Sequence, residues 1–330
     1  LYSRISRIVV KQKVVYECIE CGTAHMCWQG QCNECGAWNS LEEAIETKKN
    51  KIESNLGPLK INRMIDVKEP EQARWKSGFS ELDRVLGGGW VFGSVNLICG
   101  EPGIGKSTIV LQSLLELNQL KEKTLYITAE ESEIQIKQRA NRLSDNVSKQ
   151  IYTCAHTEME SIIDIIYKEK PTMVVLDSIQ MVISHKLTSM PGSLNQVRMC
   201  TSMFIKAIKD INAIGVLVGH ITKDGQLAGP KMLEHMVDVI LFFEGERTMS
   251  IRMLRALKNR YGTTNETGLF KMNAKGLNEL SDTQHLISDL SKAPLSGAVL
   301  TSILSGTRGM LVELQSLVVQ AGYQQSKRTF

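Results

Sequence analysis

The sequence predicts an α/β fold, a doubly wound and mainly parallel sheet, on three observations. Apolar, β-branched-rich runs of strand length recur between residues 94 and 243. Helix-length segments separate them, and a glycine-rich loop of phosphate-binding pattern joins the first run to the first helix. Continuous apolar runs are expected of strands covered on both faces, and their alternation with helices is the pattern of a parallel sheet.

In chain order the runs are SVNLIC (94–99), TLYIT (124–128), QIYTC (150–154), TMVVLD (172–177), IGVLVG (214–219) and VDVILFF (237–243). Helical patterns such as STIVLQSLLELNQLK and GSLNQVRMCTSMFIKAIKDI fall between them. The loop after the first run is GEPGIGKST, that is Gly100, Glu101, Pro102, Gly103, Ile104, Gly105, Lys106, Ser107 and Thr108. Its GxxxxGK[ST] spacing predicts a nucleotide cradle. Gly103 and Gly105 let backbone N–H groups curl round phosphates, Lys106 reaches the β and γ oxygens, and Ser107 offers a hydroxyl to Mg²⁺ at a helix N-terminus.

Asp177, closing MVVLD, is the expected second magnesium group, acting through water. Taken alone, an aspartate there also reads as a helix cap. A base for the attacking water is expected in LYITAEES, just after the second run. Glu130 is favoured, and Glu131 could instead open the next helix as a first-turn acid.

Upstream, CIECGTAHMCWQGQCNECGAW places Cys18, Cys21, Cys32 and Cys35 as two CxxC pairs with ten residues between them. Four thiolates complete a tetrahedral zinc site, closed to catalysis, and Gly22 and Gly36 suit the tight turns that aim amides at sulfur. A redox CxxC normally comes singly. Cys27 lacks a partner at that spacing, and His25 is a competing ligand. A finger is therefore expected over 14–40 and a polar, charged linker over 41–74. The α/β core is expected over 75–275, and a third region over 283–330.

Near the end of the core, the strand-like SIRMLRALK leads into a turn bearing Lys258 and Arg260, with Gly262 expected to let both point outward. The plain reading of two such cations is a solvated loop.

Composition narrows the classes. The chain has 330 residues, 42% hydrophobic and 22% charged, as in an ordinary soluble globular protein. No window is apolar enough to span a membrane, and the basic start has apolar runs too short for a secretory signal, so a cytoplasmic location is expected. The start at Leu1 is read as trimmed or unusual. A net charge of +4 permits nucleic-acid binding without arguing for it.

The order of P-loop, glutamate after the next strand and aspartate ending a later one resembles the core of RecA- and DnaB-type ATPases. GHITKDGQLAGPKMLEHMVDVILFFEGE (219–246) and LKNRYG (257–262), with the four-cysteine block, are similar to the bacterial RadA (Sms) family of DNA repair proteins. The resemblance runs from about Val14 to the end of the chain. It implies a RecA-like P-loop core with a four-cysteine zinc finger before it and the opening of a Lon-protease-like domain after it. GAVLTSILSGTRGMLVELQSLV matches that opening, but the positions of a Lon-type Ser-Lys dyad are absent, so no protease activity is expected and the segment reads as truncated.

The resemblance further implies a homo-hexameric, DNA-stimulated ATP hydrolase of helicase type, using ATP, Mg²⁺ and Zn²⁺. It would drive branch migration on single-stranded and branched DNA beside the RecA recombinase, in recombination and the response to DNA damage. Lys258 and Arg260 then become fingers on the neighbouring subunit's nucleotide, although Tyr261 stands where phenylalanine is more usual. His220, ending GVLVGH, becomes a polar sensor of the γ-phosphate. Two loops, 184–198 and 222–235, become candidates for a DNA channel. Their cations Lys186, Arg198, Lys223 and Lys231 would grip phosphates without reading sequence, and both loops lack aromatics for base stacking.

Overall fold

The computed structural model describes residues 14–45, 63–66, 74–116, 122–220, 230–245, 251–280 and 297–316. The first unit is a three-stranded antiparallel sheet in which β1 (Val14–Cys18) lies between β2 (Ala24–His25) and β3 (Leu41–Ile45). Because β3 pairs with β1 from Cys18↔Leu41 to Val14↔Ile45, residues 41–45 belong to the cysteine unit and not to a linker. Most of the remaining expected linker lies outside the described residues.

The core begins with β4 (Arg74–Trp75), α1 (Ser80–Leu86) and β5 (Trp90–Val91), β4 pairing with β5. Strands and helices then alternate. They are β6 (Val95–Gly100), α2 (Lys106–Glu116), β7 (Thr124–Thr128), α3 (Glu133–Leu143), β8 (Ile151–Ala155), α4 (Met159–Glu169), β9 (Met173–Asp177), α5 (Leu194–Asp210), β10 (Ile214–His220), α6 (Pro230–Met236) and β11 (Val239–Glu244). These strands stand parallel in the order β11-β6-β10-β9-β7-β8. An antiparallel meander of β12 (Ile251–Asn259), β13 (Thr267–Asn273) and β14 (Gly276–Glu279) adds to the β11 edge, making nine strands. The core therefore runs past the expected boundary at 275, to the end of β14 at Glu279.

Burial follows the two-residue period of the strands. Met173 and Val175 of β9 join Leu82, Ile109 and Ile136 of α1, α2 and α3 in one core. Val174 and Leu176 join Ile162, Phe204 and Leu233 of α4, α5 and α6 in the other. Alternate side chains of a strand point to opposite faces, so a run apolar at every position needs helices on both sides. The exception is β8. It is one of the two edge strands, half exposed along its length, with Tyr152 45% exposed beneath the Lys123 ammonium. Coverage on both faces does not hold there: at the margin of the sheet the strand is half exposed, and it has a hydrogen-bonded neighbour on one side alone.

The third region is a hairpin of β15 (Ala298–Ser305) and β16 (Arg308–Gln315), a separate two-stranded sheet. Val299 and Leu304 on it are exposed. Its turn is fastened to the core by Arg308, which donates to Glu81 Oε2 (2.6 Å) and to the carbonyl of Leu280 (2.7 Å).

Candidate functional site

A parallel sheet collects its loops at the C-terminal ends of its strands, and ligands bind there. Here β6 delivers the phosphate loop. Gly103 and Gly105 have φ of 79° and 118°, and a Cβ on Gly105 would lie 2.7 Å from Met272 Cε, so both positions require glycine. Lys106 opens α2, is buried, and donates from Nζ to the carbonyls of Gly100 and Glu101 at 2.8 Å each. Burial lowers its pKa to about 8, against the opposing pull of Asp177, Cys99, Glu130 and Glu101. Ser107 and Thr108 follow in the same helical turn, where free N–H groups and the dipole favour an anion.

Asp177 ends β9, in register with Thr128 of β7 and Val218 of β10, so it belongs to the strand and not to a helix cap. It is buried, and Tyr126 donates its hydroxyl to Asp177 Oδ2 at 2.5 Å. Burial, followed by the Asp177 charge, holds the Tyr126 phenol well above its usual range, so it serves as a donor. Glu130 lies two residues beyond β7. Its Oε1 accepts from Ser178 Oγ and stands 3.2 Å from His220 Nε2. His220 at the end of β10 is thus brought to the expected base.

Glu131, also in the cleft, is engaged by an ion pair with Arg139 (2.5 Å), and its backbone N–H donates to Thr128 Oγ1. It does not open a helix. Ser132 is the N-cap of α3, in a capping box with Gln135, and the first-turn acid is Glu133. The phosphate loop, Glu130, Glu131, Arg139, Arg142 and His220 line one cleft of about 570 Å³, to which the β13–β14 turn also contributes. Sequence reasoning missed Tyr126, Ser178, Arg139 and Arg142. Ser178 follows Asp177 directly and was open to notice. The arginines are one helical turn apart on α3, and nothing in their spacing marks the cleft.

The two hairpin cations lie elsewhere. β12 runs antiparallel to β11, pairing Asn259 with Val239, which is level with Asn96 at the start of β6. Lys258 and Arg260 therefore sit at the opposite end of the sheet, roughly 13 Å along the strand from Gly100. Lys258 is inside β12 rather than on the turn, donating to the carbonyls of Glu234 (2.5 Å) and Val237 (2.8 Å). Arg260 is half exposed and pairs with the buried Asp238 at 3.2 Å. Gly262 is not in the left-handed region. A Cβ on it would lie 3.1 Å from Gly87 Cα, so close packing and not turn freedom is what calls for glycine there.

Of the four cations expected at DNA, Lys186 is exposed on the β9–α5 connection. Arg198 is exposed but lies within α5, not on a loop. Lys231 falls in α6, again not a loop, and Lys223 lies outside the described residues.

The thiols of Cys18, Cys21, Cys32 and Cys35 lie within 4.8 Å of one another. Cys18–Cys35 and Cys21–Cys32 are each separated by 3.6 Å, close to the edge of about 3.8 Å for a tetrahedron with Zn–S near 2.3 Å. The four cysteines fit zinc. Amides of Gly22 and Gly36 donate to the carbonyls of Cys18 and Cys32, closing both turns. His25 stays outside the four, its Nε2 3.4 Å from Cys32 Sγ.

Comparison with known proteins agrees with this geometry. A family model described as "ATPase: KaiC" matches residues 75–154. The chain is 42% identical over 325 residues to the DNA repair protein RadA of Halalkalibacterium halodurans, covering 97% of this chain and 71% of that one. It is 43% identical to RadA of Pseudomonas aeruginosa (94% and 69%) and 40% identical to RadA of Bacillus subtilis (97% and 71%). Among solved structures, one described as an ATPase domain superposes with a TM-score of 0.55 at 16% identity, over 62% of this chain and 90% of that one, a likeness of fold.

Proposed function

The chain belongs to the RadA family of DNA repair proteins, ATP-hydrolysing enzymes with a RecA-like fold, and on that premise we propose that it is a ring-forming, DNA-stimulated motor. It would act as a hexamer, a helicase-type engine of branch migration on single-stranded and branched DNA, working beside the RecA recombinase in recombinational repair. One observation carries the assembly. The phosphate loop and the cations Lys258 and Arg260 are at opposite ends of one sheet, which favours a site that combines the loop of one copy with the cations of the next.

In this reading the loop from Gly100 to Thr108 holds the ATP phosphates, with Lys106 exchanging its two carbonyls for phosphoryl oxygens. Mg²⁺ would be held by Ser107 and, through water, by Asp177, whose carboxylate is oriented by Tyr126. Glu130 takes the proton of the attacking water, and its neighbours His220 and Ser178 hold it in place. His220 can report the γ-phosphate because it already touches the base. The cations of the adjoining copy neutralise charge on the leaving phosphoryl group, an effect on the order of 10³–10⁵ in rate in related chemistry. Cys18, Cys21, Cys32 and Cys35 hold zinc, and Lys186 and Arg198 meet DNA phosphates with Lys223 and Lys231. The hairpin opens the Lon-like region.

The test is ATP turnover with and without single-stranded DNA, on Lys106→Ala and Arg260→Ala chains alone and mixed. Each alone is expected to be nearly inactive, and the mixture to recover part of the activity, because some interfaces then combine an intact loop with an intact turn. A mixture no better than its components overturns the shared site. A forked substrate separates a motor, which displaces a strand, from a nucleotide-gated binder, which does not.

A further inference from the structure

The segment LGGGWVFG, residues 86–93, plays no part in the nucleotide cleft, yet three consecutive glycines with φ of 77°, 122° and 128° make a turn that few sequences can adopt. Its surroundings explain it. Gly87 ends α1 in the left-handed conformation, and its N–H returns to the carbonyl of Arg84. A Cβ on Gly87 would stand 3.1 Å from Gly262 Cα and 3.4 Å from the carbonyl oxygen of Tyr261. The glycine turn is therefore pressed against the backbone of the turn that bears Arg260.

A side chain clasps the two together. Arg74, in β4 at the start of the core, donates from Nη2 to the Tyr261 carbonyl at 2.5 Å and from Nη1 to the carbonyls of Leu86 (3.3 Å) and Gly89 (3.5 Å). Asn259, between the two cations in sequence, completes the clasp. Its Nδ2 donates to the carbonyls of Val85 and Leu86, and its Oδ1 accepts from the N–H of Tyr261. The planar, always-charged guanidinium suits the task, offering several donors in fixed directions to carbonyls from two different elements.

We propose that Arg74 is a positioning residue for the turn that bears Arg260, fixing through the Tyr261 carbonyl and the Gly87–Gly262 contact the direction in which Arg260 is presented to a second copy of this chain. The inference rests on the reading of Lys258 and Arg260 as cations acting across an interface. Arg74 touches no nucleotide in this scheme. It acts on the rate through the turn, where a displacement of about 1 Å is worth roughly 100-fold.

The experiment uses the full chain with Arg74→Ala, Arg74→Lys and Gly262→Ala, the last placing a Cβ against Gly87 and so displacing the turn without touching Arg74. Arg74→Ala and Gly262→Ala are expected to lower kcat roughly 10- to 100-fold with KM for ATP within about twofold, and Arg74→Lys to recover part of the loss. In mixtures, Arg74→Ala is expected to be rescued by Lys106→Ala, which brings an intact turn, and not by Arg260→Ala, which brings none. Rescue by Arg260→Ala instead, or a rise in KM matching the fall in kcat, would place the defect in the chain's own phosphate loop and overturn the proposal. Should Arg74→Ala fail to fold, the same mixtures with Gly262→Ala decide it. Failure of the Lys106→Ala and Arg260→Ala mixture to recover activity sinks the interface reading itself, a separate outcome from failure of Arg74→Ala beside a working control.

Discussion

The cysteine unit and the ATPase core order their short strands by opposite means. In the cysteine unit the buried apolar cluster is Cys18, Cys32 and Leu41, with Tyr16 against it, and two of those three are metal-site thiols. In the core, helices flank both faces of the central parallel strands of a nine-stranded sheet, with Trp90, Tyr126, Phe204, Phe243 and Phe270 fully enclosed. A unit that small cannot bury enough apolar surface to offset chain entropy, so four thiolates on one ion must supply what packing does not. A core that large needs no ion to fold and can devote its polar groups to chemistry. The same element, sulfur, shows the contrast. Burial among apolar neighbours pushes Cys99 and Cys200 up to about 12 and leaves them inert. In the cysteine unit the thiols instead divide. At Cys18 burial is outweighed by hydrogen bonds from Ser40 and the Cys21 and Glu20 backbone, which lower it. At Cys35 the Ala37 backbone hydrogen bond is outweighed by burial and the neighbouring thiols, which raise it, as befits four sulfurs gathered round one ion.

The largest effect that could break this contrast is metal removal. Structural zinc contributes about 10–16 kcal/mol to folding in peptides of this kind, so chelation or Cys32→Ser should unfold residues 14–45 completely. The melting of the core and the affinity of its cleft for ATP should barely move, as followed by hydrogen exchange and calorimetry. A core that melts with the finger would show that the two are one cooperative unit. Next is Phe270→Ala. Phe270 meets Phe79 and Phe243 edge-on at 6.2 and 6.1 Å, and its loss should cost the core about 3–5 kcal/mol in denaturant titration while bound zinc per chain is unchanged.

The smallest effect concerns the buried ammonium of the cleft. Lys106 ionises at about 8 in the folded chain against 10.5 ordinarily. Between those values the unfolded chain holds a proton that the folded chain has released, so stability should rise with pH from about 8 up to the ordinary lysine value. The difference between the native chain and Lys106→Met, measured by urea titration without nucleotide, isolates that rise. A Lys106→Met chain with the same slope would show that the lysine is not buried as charge.

Much of the fold was legible. β7 coincides with TLYIT, and β6, β9 and β10 begin or end within one residue of their runs, because a strand covered by helices on both faces has to be apolar throughout. β8 also falls within one residue of its run, although it is half exposed. The run at 237–243 starts two residues early, since Val237 and Asp238 precede β11, Asp238 being a buried carboxylate that binds Arg260. The antiparallel meander beyond Gly268 was less legible. β13 and β14 owe their place to neighbours, with Gly276 tight against Gln112 and Leu143 of other elements, and no local period announces that. At the site, the phosphate loop and the four cysteines were legible because each is a local device whose ligands must stand at fixed spacing. Tyr126, Arg139 and Arg74 were not, since each acts on a partner between eight and 187 residues away.

By itself, then, the sequence carried the elements of the expected chemistry. Thiolate pairs, a glycine-lysine-serine loop and an acid at a strand end are requirements of metal and phosphate, and they survive as written patterns. The tertiary structure alone decided where each group faces. The order of strands put Glu130, Asp177 and His220 beside the phosphate loop, and the antiparallel return of β12 put Arg260 at the far end, beside the Arg74 clasp. Direction is a property of how strands pair, and pairing depends on long-range burial that no short window of residues contains.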